Sequence, residues 1–316
     1  MKIAVTGASG FLGKYLVENL TSNEFQVNAL SRESRTTKNS KLTWIKGELN
    51  DSDSHELFLS GCDVICNCAG EINNRDNFKS SNIEGVKKIY ESSIRYGVKL
   101  FIHVSSAGIY KEKFDGSIGE DHGIFPENSY EDSKVQAENF LLNSSSLRTV
   151  ILRPTTIYGP DMPNESLKAL FKTVLERKFF FIGSRRVISS YISVKNVADA
   201  IKRVIERNDK VCIDDNKTNI YNISDDVLFS EFISIASEKM SVQAPKLRFP
   251  LFIITLCLWL NDHLLGIKLP LTKSRLKHLT KKSTFSNEKY IKTYLWYPPI
   301  PHEETIDECI QAWFKI

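Results

Sequence analysis

Tyr130 and Lys134 stand four residues apart in a stretch, Tyr130–Leu142, that reads as a helix. That spacing sets both side chains on one face. An ammonium beside a phenol stabilises the phenolate and lowers a pKa that otherwise lies near ~10. The pair would then be an acid/base usable near neutral pH. Such pairs occur in many helices, so the weight of this one depends on its surroundings. Ser105-Ser106 closes an apolar run, Leu100–Val104, and adds hydroxyls. Near the start, Ile3-Ala4-Val5 is followed by Gly7, Gly10 and Gly13, with Phe11, Leu12, Tyr15 and Leu16 at helical spacing. That is a strand, a tight turn and a helix. Glycine in such a turn lets a pyrophosphate reach backbone N–H groups that no Cβ shields, in front of a helix N-terminus. The position directly after a strand is the context a dinucleotide-binding turn requires.

The elements that must hold these residues follow in order. Strands are expected at Phe25–Ser31, Leu42–Ile45, Asp63–Cys68, Leu100–Val104 and Thr149–Leu152. Ser81–Tyr96 carries Ile83, Val86, Ile89, Tyr90 and Ile94 near helical spacing. Apolar strands alternating with helices, with few hairpin signals, predict an α/β fold with a doubly wound parallel sheet covered on both faces. The carboxyl ends of parallel strands line the ligand crevice, so the glycine turn and Ser106 would share one edge of the sheet. Beyond Gly159-Pro160 the rhythm changes. A helix, Ser166–Arg177, a Phe-rich stretch, Lys178–Ile182, a strand, Ser189–Val194, a helix, Val197–Ile205, and a strand, Asn219–Ile223, precede a mainly helical, proline-punctuated remainder. The expected division is a dinucleotide-binding domain of residues 1–158 plus 189–224 and a smaller substrate lobe of 159–188 plus 225–316.

The 316 residues are 41% apolar and 25% charged, an ordinary globular composition. A net charge of +4 from 42 basic and 38 acidic residues does not indicate a nucleic-acid partner. Basic residues gather at Lys268–Lys282, read as a solvated helix face. The six cysteines lack a second pair at metal spacing and suit neither a zinc site nor a disulfide framework. No metal is expected, and a reducing, cytoplasmic setting is. The chain enters a strand at once, with no signal peptide expected. Its longest apolar run, Pro250–Leu260, is too short for a bilayer, which needs ~20 residues. It reads as a buried helix. The alternative is shallow peripheral contact with a membrane, helped by the basic segment that follows.

Several segments in order identify a resemblance. TGASGFLG (Thr6–Gly13), Gly47–Asp51, Asn82–Gly85, HVSSAGIY (His103–Tyr110), YEDSK (Tyr130–Lys134), LRPTTIYGP (Leu152–Pro160) and SYISVKNVA (Ser190–Ala198) resemble motifs of the extended short-chain dehydrogenase/reductase family, in its sugar-nucleotide epimerase/dehydratase group. PLTKSRLKHLT and FSNEKYIKTYLWYPPI resemble the family's closing segments. The resemblance implies a Rossmann-type sheet and an NAD(P)-dependent enzyme in which Tyr130 is the acid/base. Ser106 would hydrogen-bond the same substrate oxygen, and Lys134 would hold the nicotinamide ribose and lower the tyrosine pKa. Hydride would pass between the nicotinamide and a substrate carbon. It further implies cofactor contacts at Gly7, Gly10, Phe11, Leu12, Gly13, Glu48, Leu49, Ala69, Gly70, Asn82 and Pro154, substrate contacts at Ser106 and Thr156, and a homodimer through helices near 83–96 and 130–143.

Within that group the residues narrow the reaction. Dehydratases of this family carry an Asp-Glu pair after the fifth-strand hydroxyl residue, where Ala107 and Gly108 stand here. At the end of the second strand an acid would accept from a ribose 2′-OH, whereas a basic residue suits a 2′-phosphate. Here Ser31-Arg32 is found, with Arg35 close behind, and Arg32 is assigned to NADP, with NAD as the alternative cofactor. Epimerases of the group often have Asn where Thr155-Thr156 stand. The leading expectation is a 4-keto sugar-nucleotide reductase. The alternatives are a UDP-sugar C4 epimerase, a hydroxysteroid-dehydrogenase-like ketoreductase on a hydrophobic alcohol, and a non-catalytic NADP-sensing regulator. Arg185 and Arg186 could clamp a nucleotide diphosphate, and Arg186 is assigned to substrate. His103 lies inside a buried strand and reads as a core histidine, and Tyr110 either lines the pocket or packs.

Overall fold

In the computed structural model, seven parallel strands form the central sheet: β1 (Lys2–Thr6), β2 (Gln26–Ser31), β3 (Leu42–Lys46), β4 (Val64–Asn67), β5 (Leu100–Val104), β6 (Thr149–Pro154) and β7 (Thr218–Ile223). The structure describes all residues except 111–115, 209–217, 261–262, 264–275, 277–279, 281 and 316. Spatial order is β7-β6-β5-β4-β1-β2-β3. The order reverses between β1 and β4, and a sheet of this kind opens its ligand crevice at that switch point.

Side chains alternate along each strand, so one strand feeds two cores. Ile3 and Val5 of β1, and Leu100, Ile102 and Val104 of β5, pack with helices α1 (Phe11–Ser22) and α6 (Val194–Arg207) on one face. Ala4 and Phe101 point the other way, toward α2 (Ser52–Leu59), α3 (Gly85–Arg95) and α4 (Ser129–Leu142). Both faces are covered, which is why the strands read as unbroken apolar runs.

Apart from the two cores of the sheet lies a third. Tyr158, Phe171, Phe181, Phe229, Phe232 and Ile310 are among the buried residues of one aromatic-rich cluster. It draws together α5 (Ser166–Leu175), α7 (Phe229–Lys239) and the helix His302–Phe314. Trp313 donates its indole N–H to the Pro160 carbonyl at 2.6 Å, and the Tyr158 hydroxyl meets His302 Nδ1 at 2.8 Å.

Three expectations change in detail. The helix expected from Ser81 starts instead as a wider π-turn, Phe78–Glu84, before α3. The strand expected over Ser189–Val194 is two short ladders. Ile188-Ser189 pairs antiparallel with Val227-Leu228, and Tyr191–Ser193 pairs parallel with Thr156–Tyr158. The apolar run after Pro250 forms α8 (Leu251–Leu260), but it is not a buried helix: of its residues only Ile254 and Leu258 are buried, against Ile182 and Leu276. An apolar residue at every turn gives no polar face by which a sequence could mark the outside. Among the described residues no helix is long and apolar enough to cross a membrane. Most of the basic run Lys268–Lys282, like Cys212, lies outside the described residues.

Candidate active site

The glycine turn links β1 to α1. Gly7 adopts φ +63°, a conformation that favours glycine, and its carbonyl accepts from Gly10 N at 2.9 Å. A Cβ on Gly13 would lie 2.0 Å from that same carbonyl. The helix can start so close to the turn only because Gly13 has no side chain. Gly10 caps α1 and no side chain bonds the helix N-terminus. The first backbone N–H groups, at Phe11, Leu12 and Gly13, are thus left for an anion.

Beneath the turn a polar chain crosses three strands. Thr6 Oγ1 donates to Asn67 Oδ1 at 2.6 Å and accepts from Ala69 N at 3.2 Å. Asn67 Nδ2 meets His103 Nδ1 at 3.0 Å. All three side chains are buried. Burial, with the Lys134 charge behind it, holds His103 well below the usual imidazole range. It is a neutral core histidine that fixes the loop after β4.

Lys134 is buried and donates to the Val104 carbonyl at 3.1 Å, tying α4 to the end of β5. Burial pushes its pKa down to about 8. Its ammonium is 6.0 Å from the centre of the Tyr130 ring, and Phe78 stacks edge-on against that ring at 5.9 Å. Tyr130 does not behave as the four-residue spacing predicts. Burial first, and then the Glu131 carboxylate, raise it to about 12. Desolvation of the phenolate sets this direction, an effect that spacing alone does not carry. Ser106 caps the short turn Ala107–Ile109 by accepting from Gly108 N at 3.1 Å. That turn sits against the start of α4, where a Cβ on Gly108 would come within 3.6 Å of Glu131 Oε1.

The other expected residues fall as follows. Asn82 is buried and acts as a clamp: its Oδ1 accepts from Glu71 N (2.8 Å), and its Nδ2 donates to Glu71 O (3.0 Å) and Ser133 Oγ (2.9 Å). It positions the Ala69-Gly70 loop from behind. A Cβ on Gly70 would lie 3.2 Å from Lys134 Nζ, so that loop borders the lysine head. Leu49 packs where a Cβ on Gly85 would sit, and the Glu48 carbonyl meets His55 Nε2 at 3.2 Å. Pro154 is buried at the end of β6, with Thr156 exposed beyond it. Arg32 is exposed after β2 and its charge reaches Glu71 across the crevice. Arg35 folds back onto Ser31 Oγ (3.2 Å) and over Trp44 (5.3 Å). Arg186 is exposed between Ile182 and Ile188, and no hydrogen bond or ion pair among the described residues joins it to Tyr130.

Sequence reasoning passed over one constellation. Arg153 and Glu138 form an ion pair at 2.5 Å, with both side chains buried. Arg153 also donates to the Tyr110 hydroxyl at 2.6 Å, which donates to Asn222 Oδ1 at 2.7 Å. Burial alone would lower Arg153; the Glu138 hydrogen bond and charge outweigh it and raise the guanidinium. The network ties α4 to β6 and β7. Its signal was available, since Glu138 lies four residues beyond Lys134 on the face that α4 buries.

A nicotinamide dinucleotide fits these residues. The glycine cradle and uncapped helix start suit its pyrophosphate, and the Gly70 gap leads to Lys134. No cluster of metal-ligating side chains exists among the described residues.

The sequence model of the NAD dependent epimerase/dehydratase family matches residues 3–224. The UDP-glucose 4-epimerase of Vibrio cholerae is 30% identical over 77% of this chain and 78% of its own. A decarboxylating sterol-4-alpha-carboxylate 3-dehydrogenase of Dictyostelium discoideum is 26% identical over 91% of this chain and 93% of its own. Among solved structures, the Bacillus cereus UDP-glucuronic acid 4-epimerase with NAD superimposes with a TM-score of 0.75. It is 20% identical and covers 100% of this chain and 99% of that one.

Proposed function

Because the chain belongs to the NAD dependent epimerase/dehydratase family, we propose that it is a nicotinamide-dependent reductase of 4-keto nucleotide sugars. One observation carries this reading. Tyr130 packs against Phe78 with the Lys134 ammonium 6.0 Å from its ring centre, burial raises its pKa, and Ala107 and Gly108 supply no acid directly after Ser106 in the chain. A half-buried phenol beside Lys134 is set to give a proton to an oxygen that becomes an alkoxide. Elimination of water would need further proton carriers.

When bound, the nicotinamide supplies the hydride, which no side chain can. Tyr130 gives its phenolic proton to the carbonyl oxygen as that oxygen gains charge. Ser106 donates a hydrogen bond to the same atom. Lys134 holds the ribose side of the cofactor and offers positive charge beneath the phenol. The carbonyl ends as a secondary alcohol, and the phenolate regains its proton from solvent.

Arg32 supports NADP over NAD. Exposed at the end of β2, it offers a guanidinium to a 2′-phosphate. Arg32→Ala should weaken NADP(H) binding about tenfold relative to NAD(H), on the scale of one charge-assisted contact; an unchanged ratio of dissociation constants removes the claim. A homodimer would use α3 and α4, whose outward faces carry the exposed Ile94 and Leu142. Free, buried Cys62, Cys66 and Cys309 suit a reducing cytoplasm.

The test offers UDP- and dTDP-linked 4-keto sugars with NADPH. Net consumption of NADPH supports the reductase. An isomerised sugar without net consumption would assign epimerisation instead. A second reading, dehydrogenation of a hydrophobic ring alcohol, is favoured by the match to the sterol enzyme over nearly the whole chain; inertness toward sugars with turnover of a 3-hydroxysterol would establish it. A sensor without turnover is disfavoured by the joint presence of Ser106, Tyr130 and Lys134.

A further inference from the structure

Helix α8 is apolar on every side and only one side is covered. Ile254 and Leu258 face Ile182 and Leu276. Phe252, Leu256 and Trp259 recur at i, i+4 and i+7 on the opposite face and are 70%, 54% and 53% exposed. Leu251 and Ile253 flank them, and Leu247 is exposed just before the helix. Thr255 returns its hydroxyl to the Leu251 and Phe252 carbonyls, at 3.1 and 2.9 Å, so it makes no demand on water. His263 stacks on Trp259 at 4.5 Å. A contiguous outward set of this kind marks an interaction surface.

Charge at the base of the helix indicates what covers it. Arg248 precedes the helix and donates to the carbonyls of Gly183 and Ser184, at 3.2 and 2.6 Å. Its pKa is lowered, first by burial and then by Arg185 beside it. Lys246, Arg185 and Arg186 are exposed around the same point. From Ser241 to Lys282 the sequence holds eight basic residues and one acid, Asp262. A second copy of the chain would bring two sets of Lys246, Arg185 and Arg186 into one contact. An anionic lipid surface neutralises these three charges and takes up the apolar face with them. A tryptophan near the end of the face suits the boundary between headgroups and acyl chains.

We propose that α8 lies in the plane of an anionic membrane surface, with Phe252, Leu256 and Trp259 at the acyl boundary and Lys246 and Arg185 against the lipid phosphates. α8 itself does not cross the bilayer, because a helix of ten residues reaches only about 15 Å. The contact is independent of which substrate the site turns over.

The experiment sediments the full chain with vesicles of phosphatidylcholine alone and of equal parts phosphatidylcholine and phosphatidylglycerol. Wild type should pellet with the mixed vesicles, at least tenfold more than with the neutral ones, and less at high salt. The double variant Phe252→Glu, Trp259→Glu should lose this tenfold or more while keeping the wild-type affinity for NADPH. In a separate measurement, wild-type tryptophan emission should shift to the blue on adding mixed vesicles, and the mild variant Trp259→Phe should remove the shift. The proposal is overturned by three results: no pelleting with either vesicle, undiminished pelleting of the double variant, or a wild-type dimer that the double variant dissolves with no vesicle binding.

Discussion

Helices α4 and α8 depart from the usual inside–outside rule in opposite directions. α4 buries Lys134 and Glu138, charged residues that are seldom found inside. α8 leaves a phenylalanine, a leucine and a tryptophan in water. Each departure has a different physical character. The charges under α4 are answered within the chain: Glu138 by Arg153, and Lys134 by the Val104 carbonyl and the crevice beside Gly70. The apolar face of α8 is answered by nothing among the described residues. An inward polar group with partners fixes geometry for chemistry, whereas an outward apolar group without partners calls for a second body.

The contrast can be broken or sharpened by experiment. The largest effect is expected at α4 itself: Tyr130→Phe should lower turnover by about a thousandfold or more, the scale of a lost general acid, with cofactor binding retained. NADPH absorbance against substrate reads the first and quenching of intrinsic fluorescence the second; full activity would end the proposed mechanism. Next is Glu138→Gln, which leaves the Arg153 guanidinium uncompensated in the interior and should destabilise the fold by about 3 kcal/mol, seen as a lower urea midpoint. A third test is electrostatic. Lys134 sits at about 8 in the fold against 10.5 ordinarily. Between those values the unfolded chain binds the extra proton, so this group's contribution to stability rises with pH from about 8 to 10.5 and is constant below. Urea midpoints of wild type minus those of Lys134→Met should climb across that window; a flat difference would mean that the lysine is not desolvated. The smallest effect belongs to α8. Phe252→Ser should change stability by no more than about 0.5 kcal/mol, while Ile254→Ala, on the covered side of the same helix, should cost about 2 kcal/mol or more. Equal losses would show that the outer face is packed after all.

The sheet was readable because β1, β4, β5 and β6 are short apolar runs, nearly all of their residues buried, with helix-periodic segments around them; the edge strand β3 buries only Ile45. The glycine turn was readable because Gly7 and Gly13 answer a steric demand that no other residue meets. Other features depend on partners distant in the chain. Ser189 and Tyr191 belong to different ladders only because Val227 and Thr156 lie beside them. The π-turn before α3 carries Asn82 to Glu71 and Ser133, a task its spacing to Ile83 and Val86 does not announce. The raised Tyr130 pKa follows from the packing of Phe78 and its neighbours, since helical spacing encodes proximity but not dehydration.

The helix His302–Phe314 places Ile306, Cys309 and Ile310 in the same aromatic cluster as Tyr158, Phe171 and Phe181. During synthesis, β7 emerges some eighty residues before that helix does, so the seven-stranded sheet can assemble while the aromatic cluster still lacks one wall. For that interval Phe171, Phe181 and Phe232 have no lid, and they are the surface on which a chaperone or a misfolding partner would act. A ribosome-stalled chain ending near residue 300 should therefore leave Phe171, Phe181 and Phe232 open to protease although all seven strands of the sheet have been made.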